Sequence, residues 1–194
     1  MTSGEPASTE PLDDAAFDAE FKRQLVGIIG PLRAFARGLC AQRTLADDLV
    51  QEAMLRAWSA RRSYTPGTNF RAWIFMILRN QYYTSLRKNA RMVAWDPEAA
   101  ERILVTPATQ HVGLEVADVV QALQKINQEQ REVLILIGAN GLSYEEAAQI
   151  MGCAVGTIKS RLARGRMALQ ALIEGPDDEQ NVGKPPARKP ATRS

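Results

Sequence analysis

Apolar residues recur every three or four positions along most of this chain, and no segment sustains the alternation expected of a strand. Phe21, Leu25, Ile28, Leu32, Phe35 and Leu39 form the first stripe, which Gly30-Pro31 is expected to kink or split. Thr44, with Asp47 three residues on, signals a second helix that lays Leu45, Leu49, Ala53, Ala57 and Trp58 on one face. The stretch Tyr64-Thr65-Pro66-Gly67-Thr68-Asn69 has the composition of a loop. A third helix is expected from about Phe70 to Arg91, striped by Phe70, Trp73, Ile74, Ile77, Leu78 and Tyr82. Residues 92–113 then lose the pattern around Pro97 and Pro107, as a flexible linker between domains does.

Helical spacing resumes with Val116, Val119, Val120, Leu123 and Ile126. Asn127 can cap the helix carrying Val133, Leu134, Leu136 and Ile137, and Gly141 can end it. Ser143 and Glu146 make a capping box that opens a helix from Tyr144 to Met151, closed by Gly152. A turn at Cys153-Ala154-Val155 leads into a last helix from Gly156 to about Ile173. The expected fold is all-α, with small helical domains at 16–91 and 114–173 joined by a flexible linker. An acidic disordered start, 1–15, and a Pro-rich charged tail, 174–194, flank them.

The net charge of +2 hides a bias, because residues 21–173 carry 20 bases against 12 carboxylates. Placement sharpens it. From Ala53 to Trp95 there is no carboxylate, while Arg56, Arg61, Arg62, Arg71, Arg79, Arg87, Lys88 and Arg91 supply cations. From Ala147 to Ile173 the same holds for Lys159, Arg161, Arg164 and Arg166. Two carboxylate-free basic stretches suit phosphates, and a nucleic acid is the first expected partner.

The unit from Ser143 to about Leu172 has the features of a helix-turn-helix. Ala147 and Ala148 allow close crossing, Ile150, Val155, Ile158 and Leu162 fill a core, and Thr157, Lys159, Ser160, Arg161 and Arg164 form a polar end. In the first basic stretch, Trp58 and Trp73 fall on apolar stripes and read as packing. Tyr64 and Tyr83 are the better candidates for stacking on unpaired bases. Cys40, Cys153 and the single His111 cannot build a four-ligand zinc site or a disulfide framework, so no cofactor is expected. No Gly-rich phosphate loop or nucleophile motif points to an enzyme. The acidic start has no apolar core segment of a signal peptide, and no run approaches a membrane span. A cytoplasmic location is the expectation, with no membrane partner.

The segments LADDLVQEAMLRAW (45–58), GTNFRAWIFMILRNQYY (67–83) and SYEEAAQIMGCAVGTIKSRLARGRMAL (143–169) resemble regions two and four of an extracytoplasmic-function (ECF) sigma factor of bacterial RNA polymerase. FARGLC, LADDLVQE and CAVGTIKSRL further resemble the general-stress-response, EcfG-like subgroup of alphaproteobacteria. The resemblance implies a sigma region 2 domain at 16–91 and a sigma region 4 domain at 114–173, with no region-three domain between them. It implies that Asp47, Asp48, Gln51 and Glu52 dock on the β′ clamp helices of core RNA polymerase, and that the second domain meets the β flap.

The melted −10 element would be held by Arg61, Arg62, Tyr64, Asn69, Arg71, Arg79, Asn80, Tyr83, Arg87 and Lys88, with a flipped base in the loop. The −35 duplex would be met by Thr157, Lys159, Ser160, Arg161 and Arg164. Ala154 stands where many members of the family carry Ser or Pro before the recognition helix. The implied partners are core RNA polymerase, promoter DNA and a small NepR-like anti-sigma factor, released by a PhyR-like response regulator. A sigma-like mimic and a stand-alone helix-turn-helix DNA-binding regulator are the competing readings.

Overall fold

The computed structural model describes residues 14–40, 42–95 and 114–174. Among them there is no strand. The first half holds α1 (Asp14–Leu39), α2 (Arg43–Ser59), a short 3-10 turn (Arg61–Ser63) and α3 (Phe70–Trp95). The second half holds α4 (Leu114–Lys125), α5 (Gln128–Val133) running on as a π-helical segment (Leu134–Ala139), α6 (Tyr144–Met151) and α7 (Val155–Glu174).

Local chemistry accounts for most boundaries. Asn127 accepts the Glu129 N–H and caps α5. Ser143 and Glu146 complete the capping box of α6, and Gly152 ends it in the left-handed region at φ 65°. Four expectations change. Pro31 lies inside an unbroken α1 rather than splitting it. Its ring removes one N–H and opposes the carbonyl of Gly27, but Gly27 is exposed with open space beside it, so water can meet the freed group. Helix α2 starts at Arg43 after Gln42, without a side-chain cap, so Thr44 and Asp47 already lie within it. Helix α3 runs to Trp95, past the expected start of the linker at 92, and α1 reaches back to Asp14. The remaining linker residues 96–113, with His111, the start 1–13 and the tail 175–194 lie outside the described residues.

In the first half α1 packs on α2, and α2 on α3. Phe21, Leu32, Phe35, Ile74, Phe75 and Leu78 are fully buried there, with the Phe35 and Phe75 rings 5.3 Å apart. In the second half α7 crosses α5 and α6 around Val133, Leu136, Ile150, Ile158 and Leu162. The halves also dock on each other, α1 against α4 and α5, and α3 against α6, so that their buried residues merge into one cluster. Gly38 makes the α1 crossing possible: a Cβ there would stand 2.9 Å from Ile135 Cγ1.

Glycine positions give a paired test of this packing. A Cβ on Gly165 of α7 would meet Leu134 at 3.1 Å and the backbone carbonyl of Gln130 at 3.2 Å. Gly165→Val is expected to destabilise by about 1–3 kcal/mol, because the backbone cannot yield as a side chain can. At Gly27 of α1 nothing lies within 4 Å. Gly27→Ala should stabilise by up to about 1 kcal/mol through helix propensity alone. Urea denaturation of both variants reads the two signs.

Candidate nucleic-acid interface

The loop after α2 begins as a basic corner covered by the acidic start of α1. Arg61 donates through Nε to Asp18 Oδ1 at 2.8 Å and through Nη2 to Oδ2 at 3.2 Å, and its guanidinium lies 4.5 Å over the Trp58 ring. Arg62 donates to Asp14 Oδ1 at 2.7 Å and stands over Phe17. The hydrogen bond from Arg61 holds the Asp18 carboxyl below its ordinary range. Asp14, expected in the disordered start, opens α1 and pairs with this corner.

Trp73 packs on Phe21 and Phe70, whereas Tyr64 and Trp58 sit differently from the expectation. Tyr64 is buried, packed edge-on to Phe70 at 5.2 Å and near Phe21 and Trp73, and its hydroxyl donates to the Thr68 carbonyl at 2.9 Å. Stacking a base on it would require opening that cluster. Trp58, expected to pack, touches Phe21 at 6.2 Å between ring centroids but stays 37% exposed, with the Arg61 guanidinium over its ring. Periodicity misled here because Trp58 sits at the end of α2, where the stripe runs out into solvent. Beside the loop a cavity of about 380 Å³ opens between α1 and Tyr64, Pro66 and Gly67, with Phe17 and Phe21 as apolar wall and Glu20 and Gln24 as polar groups.

Along α3 the candidate residues divide. Asn80, Arg87 and Lys88 are exposed. Asn69, Arg71, Arg79 and Tyr83 instead turn to the second half. Asn69 Oδ1 accepts the Ala72 N–H, capping α3, while its Nδ2 donates to Glu146 Oε1 at 2.8 Å. Arg71 donates to the Asn140 carbonyl. Arg79 Nε donates to Glu132 Oε2 at 2.9 Å, and the Tyr83 hydroxyl donates to the other oxygen of the same carboxylate. Glu132 has no solvent exposure. Burial and then the bond to Glu132 push the Tyr83 phenol well above its ordinary value. Glu132 and Asn140 were not singled out from the sequence, and Glu146 only as the capping partner of Ser143; a carboxylate set directly before the apolar run Val133 to Ile137 was the available signal for Glu132.

On α7, Lys159, Ser160 and Arg164 are exposed, with Arg166 beside them. Arg164 bonds back to the Ser160 carbonyl and hydroxyl at 3.3 Å, and Ser160 donates to the Thr157 carbonyl, which preorganises this end of the helix. Lys159 Nζ is 5.7 Å from the Tyr144 ring centroid. Arg161 differs: its side chain is 19% exposed and donates to Glu129 Oε2 at 2.5 Å. On α2, Asp48 and Gln51 are exposed beside Leu55, and Glu52 pairs with Arg56. Asp47 turns away toward Arg33 and Arg37 of α1 at 3.6 and 3.9 Å.

Residues 29–92 match the family model for sigma-70 region 2, and 117–169 that for sigma-70 region 4. The ECF RNA polymerase sigma factor EcfG of Rhodopseudomonas palustris is 44% identical over 175 residues, covering 87% of this chain and 94% of the relative. The chain belongs to the ECF sigma factors.

The ECF sigma factor SigC of Mycobacterium tuberculosis is 37% identical over 134 residues, covering 69% of this chain and 72% of that one. Among solved structures, the sigma factor RpoE of Bartonella quintana, in complex with the anti-sigma factor NepR, is similar with a TM-score of 0.71 at 41% identity. That match covers 80% of this chain and 97% of RpoE. As a sigma factor the protein is a transcription initiation factor rather than an enzyme; it binds core RNA polymerase and directs initiation at promoters. The first half contains region 2 and the second region 4. Among the described residues no helix is long and apolar enough to cross a membrane.

The capping box carries a pH-dependent contribution. The Ser143 N–H, and then Asn69, hold the Glu146 carboxyl below its ordinary value of 4.5. A lowered folded-state value means that this stabilisation is complete above the unfolded value and fades as pH falls through the lowered one. Glu146→Gln is expected to cost about 1 kcal/mol at neutral pH. Urea titrations at successively lower pH should find the difference from wild type closing below 4.5.

Proposed function

We propose that this sigma factor reads a two-element promoter, region 2 holding the melted −10 strand and region 4 the −35 duplex, in a general stress response. The observation that carries the residue assignment is the pair of long helices, α3 and α7, each with an exposed basic stretch free of carboxylates, toward the C-terminus of α3 and in the first half of α7. Asn80, Arg87 and Lys88 are the backbone-holding end in region 2. Lys159, Ser160 and Arg164 are the groove-entering end in region 4. The cavity beside Tyr64, Pro66 and Gly67 suits a flipped base, with apolar walls for its faces and Glu20 and Gln24 for its edge. Arg161, bonded to Glu129, supports the recognition helix from behind.

The exposed face of Asp48, Gln51, Glu52 and Leu55 is the dock for the polymerase clamp helices, with region 4 on the β flap. Asp47, tied to Arg33 and Arg37, orients α2 for that contact. Similarity to EcfG and to a sigma factor solved with NepR supports control by a small NepR-like anti-sigma factor, released by a PhyR-like response regulator, in the cytoplasm.

Run-off transcription with purified core polymerase tests the assignment as a whole. Asp48→Lys with Glu52→Lys reverses two charges one turn apart. Holoenzyme assembly should fall sharply while the circular-dichroism spectrum keeps its helical amplitude; normal assembly would leave the face merely solvated.

The two basic ends are separated by a second comparison. Arg164→Ala should cost about 1–3 kcal/mol at the cognate −35 element and less on a scrambled one, since base contacts carry sequence information. Lys88→Ala should weaken all promoters about equally and reduce the salt slope by roughly one phosphate contact. Equal losses for Arg164→Ala on both sequences would make that residue a phosphate contact.

A further inference from the structure

The contacts between the two halves fall on the −10 face itself. Region 4 supplies an acceptor to each of four −10 candidates: Glu146 to Asn69, the Asn140 carbonyl to Arg71, and Glu132 to both Arg79 and Tyr83. Two of those acceptors are carboxylates, and they occupy the guanidinium and amide donors that a phosphate or base edge would take. Arg79 is further committed, its guanidinium 4.6 Å over the Tyr83 ring. The crossing is closed elsewhere by Gly38 against Ile135 and by Gln124 Nε2 donating to the Gly38 carbonyl at 3.1 Å. These side chains cannot hold region 4 and a DNA strand together.

We propose that region 4 is a built-in plug of the −10 face. In the free chain Glu132, with Asn140 and Glu146, holds Asn69, Arg71, Arg79 and Tyr83, and single-stranded DNA gains them only when the halves part. The inference rests on the −10 assignment of α3 made above and adds to it a latch residue, Glu132, that lies outside the proposed DNA-binding and polymerase-binding groups. A buried carboxylate suits a latch. Its desolvation is offset only while Arg79 and Tyr83 are in place, and it returns to water on opening, so the closed and open forms differ by little. The plug lowers the apparent affinity of the free chain for a −10 strand by the fraction of molecules that are open.

The test uses the full-length chain, small-angle X-ray scattering for the separation of the halves, and fluorescence anisotropy with a short fluorescein-labelled single-stranded DNA of mixed sequence. Glu132→Gln leaves Arg79 without its counter-ion and should enlarge the radius of gyration and tighten DNA binding roughly tenfold. Glu145→Gln, the same charge change at an exposed position of α6, should do neither. A radius unchanged by Glu132→Gln, with binding equal to that of Glu145→Gln, overturns the plug alone. An enlarged radius without tighter binding overturns the −10 reading on which it rests.

A reversible lock carries the test independently of whether Glu132→Gln folds. A Cβ at 38 stands 2.9 Å from Ile135 Cγ1, close to the Cβ-to-sulfur spacing across a disulfide. Gly38→Cys with Ile135→Cys, in a chain with Cys40→Ala and Cys153→Ala, should therefore bridge. The oxidised chain should lose run-off transcription with core polymerase and recover it on reduction. A bridged chain that transcribes normally overturns the proposal.

Discussion

Glu132 has no solvent exposure, and an ionised carboxylate taken out of water costs several kcal/mol unless charge and hydrogen bonds are returned to it. Arg79 returns the charge through Nε, and the Tyr83 hydroxyl satisfies the second oxygen. The apolar residues around it fix where this can happen. Ile135 follows three residues on and packs on Gly38 of α1, so the docking of α5 on α1 that buries it also brings the carboxylate to Arg79 of α3. Such a pair adds little net stability beside an apolar alternative. Its effect is positional: any other docking would strand a charge.

The same accounting explains how a chain with a net charge of +2 presents strongly basic surfaces. Its carboxylates are spent on particular bases: Asp14 and Asp18 on Arg61 and Arg62, Asp47 on Arg33 and Arg37, Glu129 on Arg161, and Glu132 on Arg79. Among the described residues no carboxylate lies in ion-pair range of Arg87, Lys88, Lys159, Arg164 or Arg166. Apart from the buried Glu132–Arg79 pair, these solvent-reached pairs contribute little to stability. They do decide which cations remain for an outside anion.

Where a signal is local, the sequence was legible. The Ser143–Glu146 box, the Asn127 cap, the Gly152 stop, the apolar stripes of α1 and α3 and the middle of the α2 stripe, Leu49 to Ala57, each follow from spacing within one or two turns, while Leu45 and Trp58 at the ends of α2 are exposed. Candidate site residues on the exposed ends of α3 and α7 were found by the same local reasoning, from cations without acids nearby. What could not be read was anything decided by a partner far along the chain. Tyr64 looks free in a loop composition, but Phe21, Phe70 and Trp73 close over it. Pro31 reads as a break, yet the helix survives because the carbonyl it frees lies on the exposed side at Gly27. Arg161 and Arg79 have the same local context as Arg164 and Arg87; only the fold brings Glu129 and Glu132 to the first two.

That division has a consequence for the order in which DNA is met on the proposed reading. The exposed cations sit at the far end of α3 and along α7, and an approaching polyanion feels these first, since neutralised pairs contribute little field beyond their own separation. Asn69 is the exception among the masked groups, because it serves two masters with different atoms: Oδ1 caps α3, and Nδ2 reaches Glu146. Losing Glu146 frees the Nδ2 donor while the cap stays intact, so the N-terminus of α3 keeps its geometry when the halves part. On that reading the helix assigned to the −10 strand needs no refolding to change partners. Only the side chains of Asn69, Arg71, Arg79 and Tyr83 exchange one set of acceptors for another.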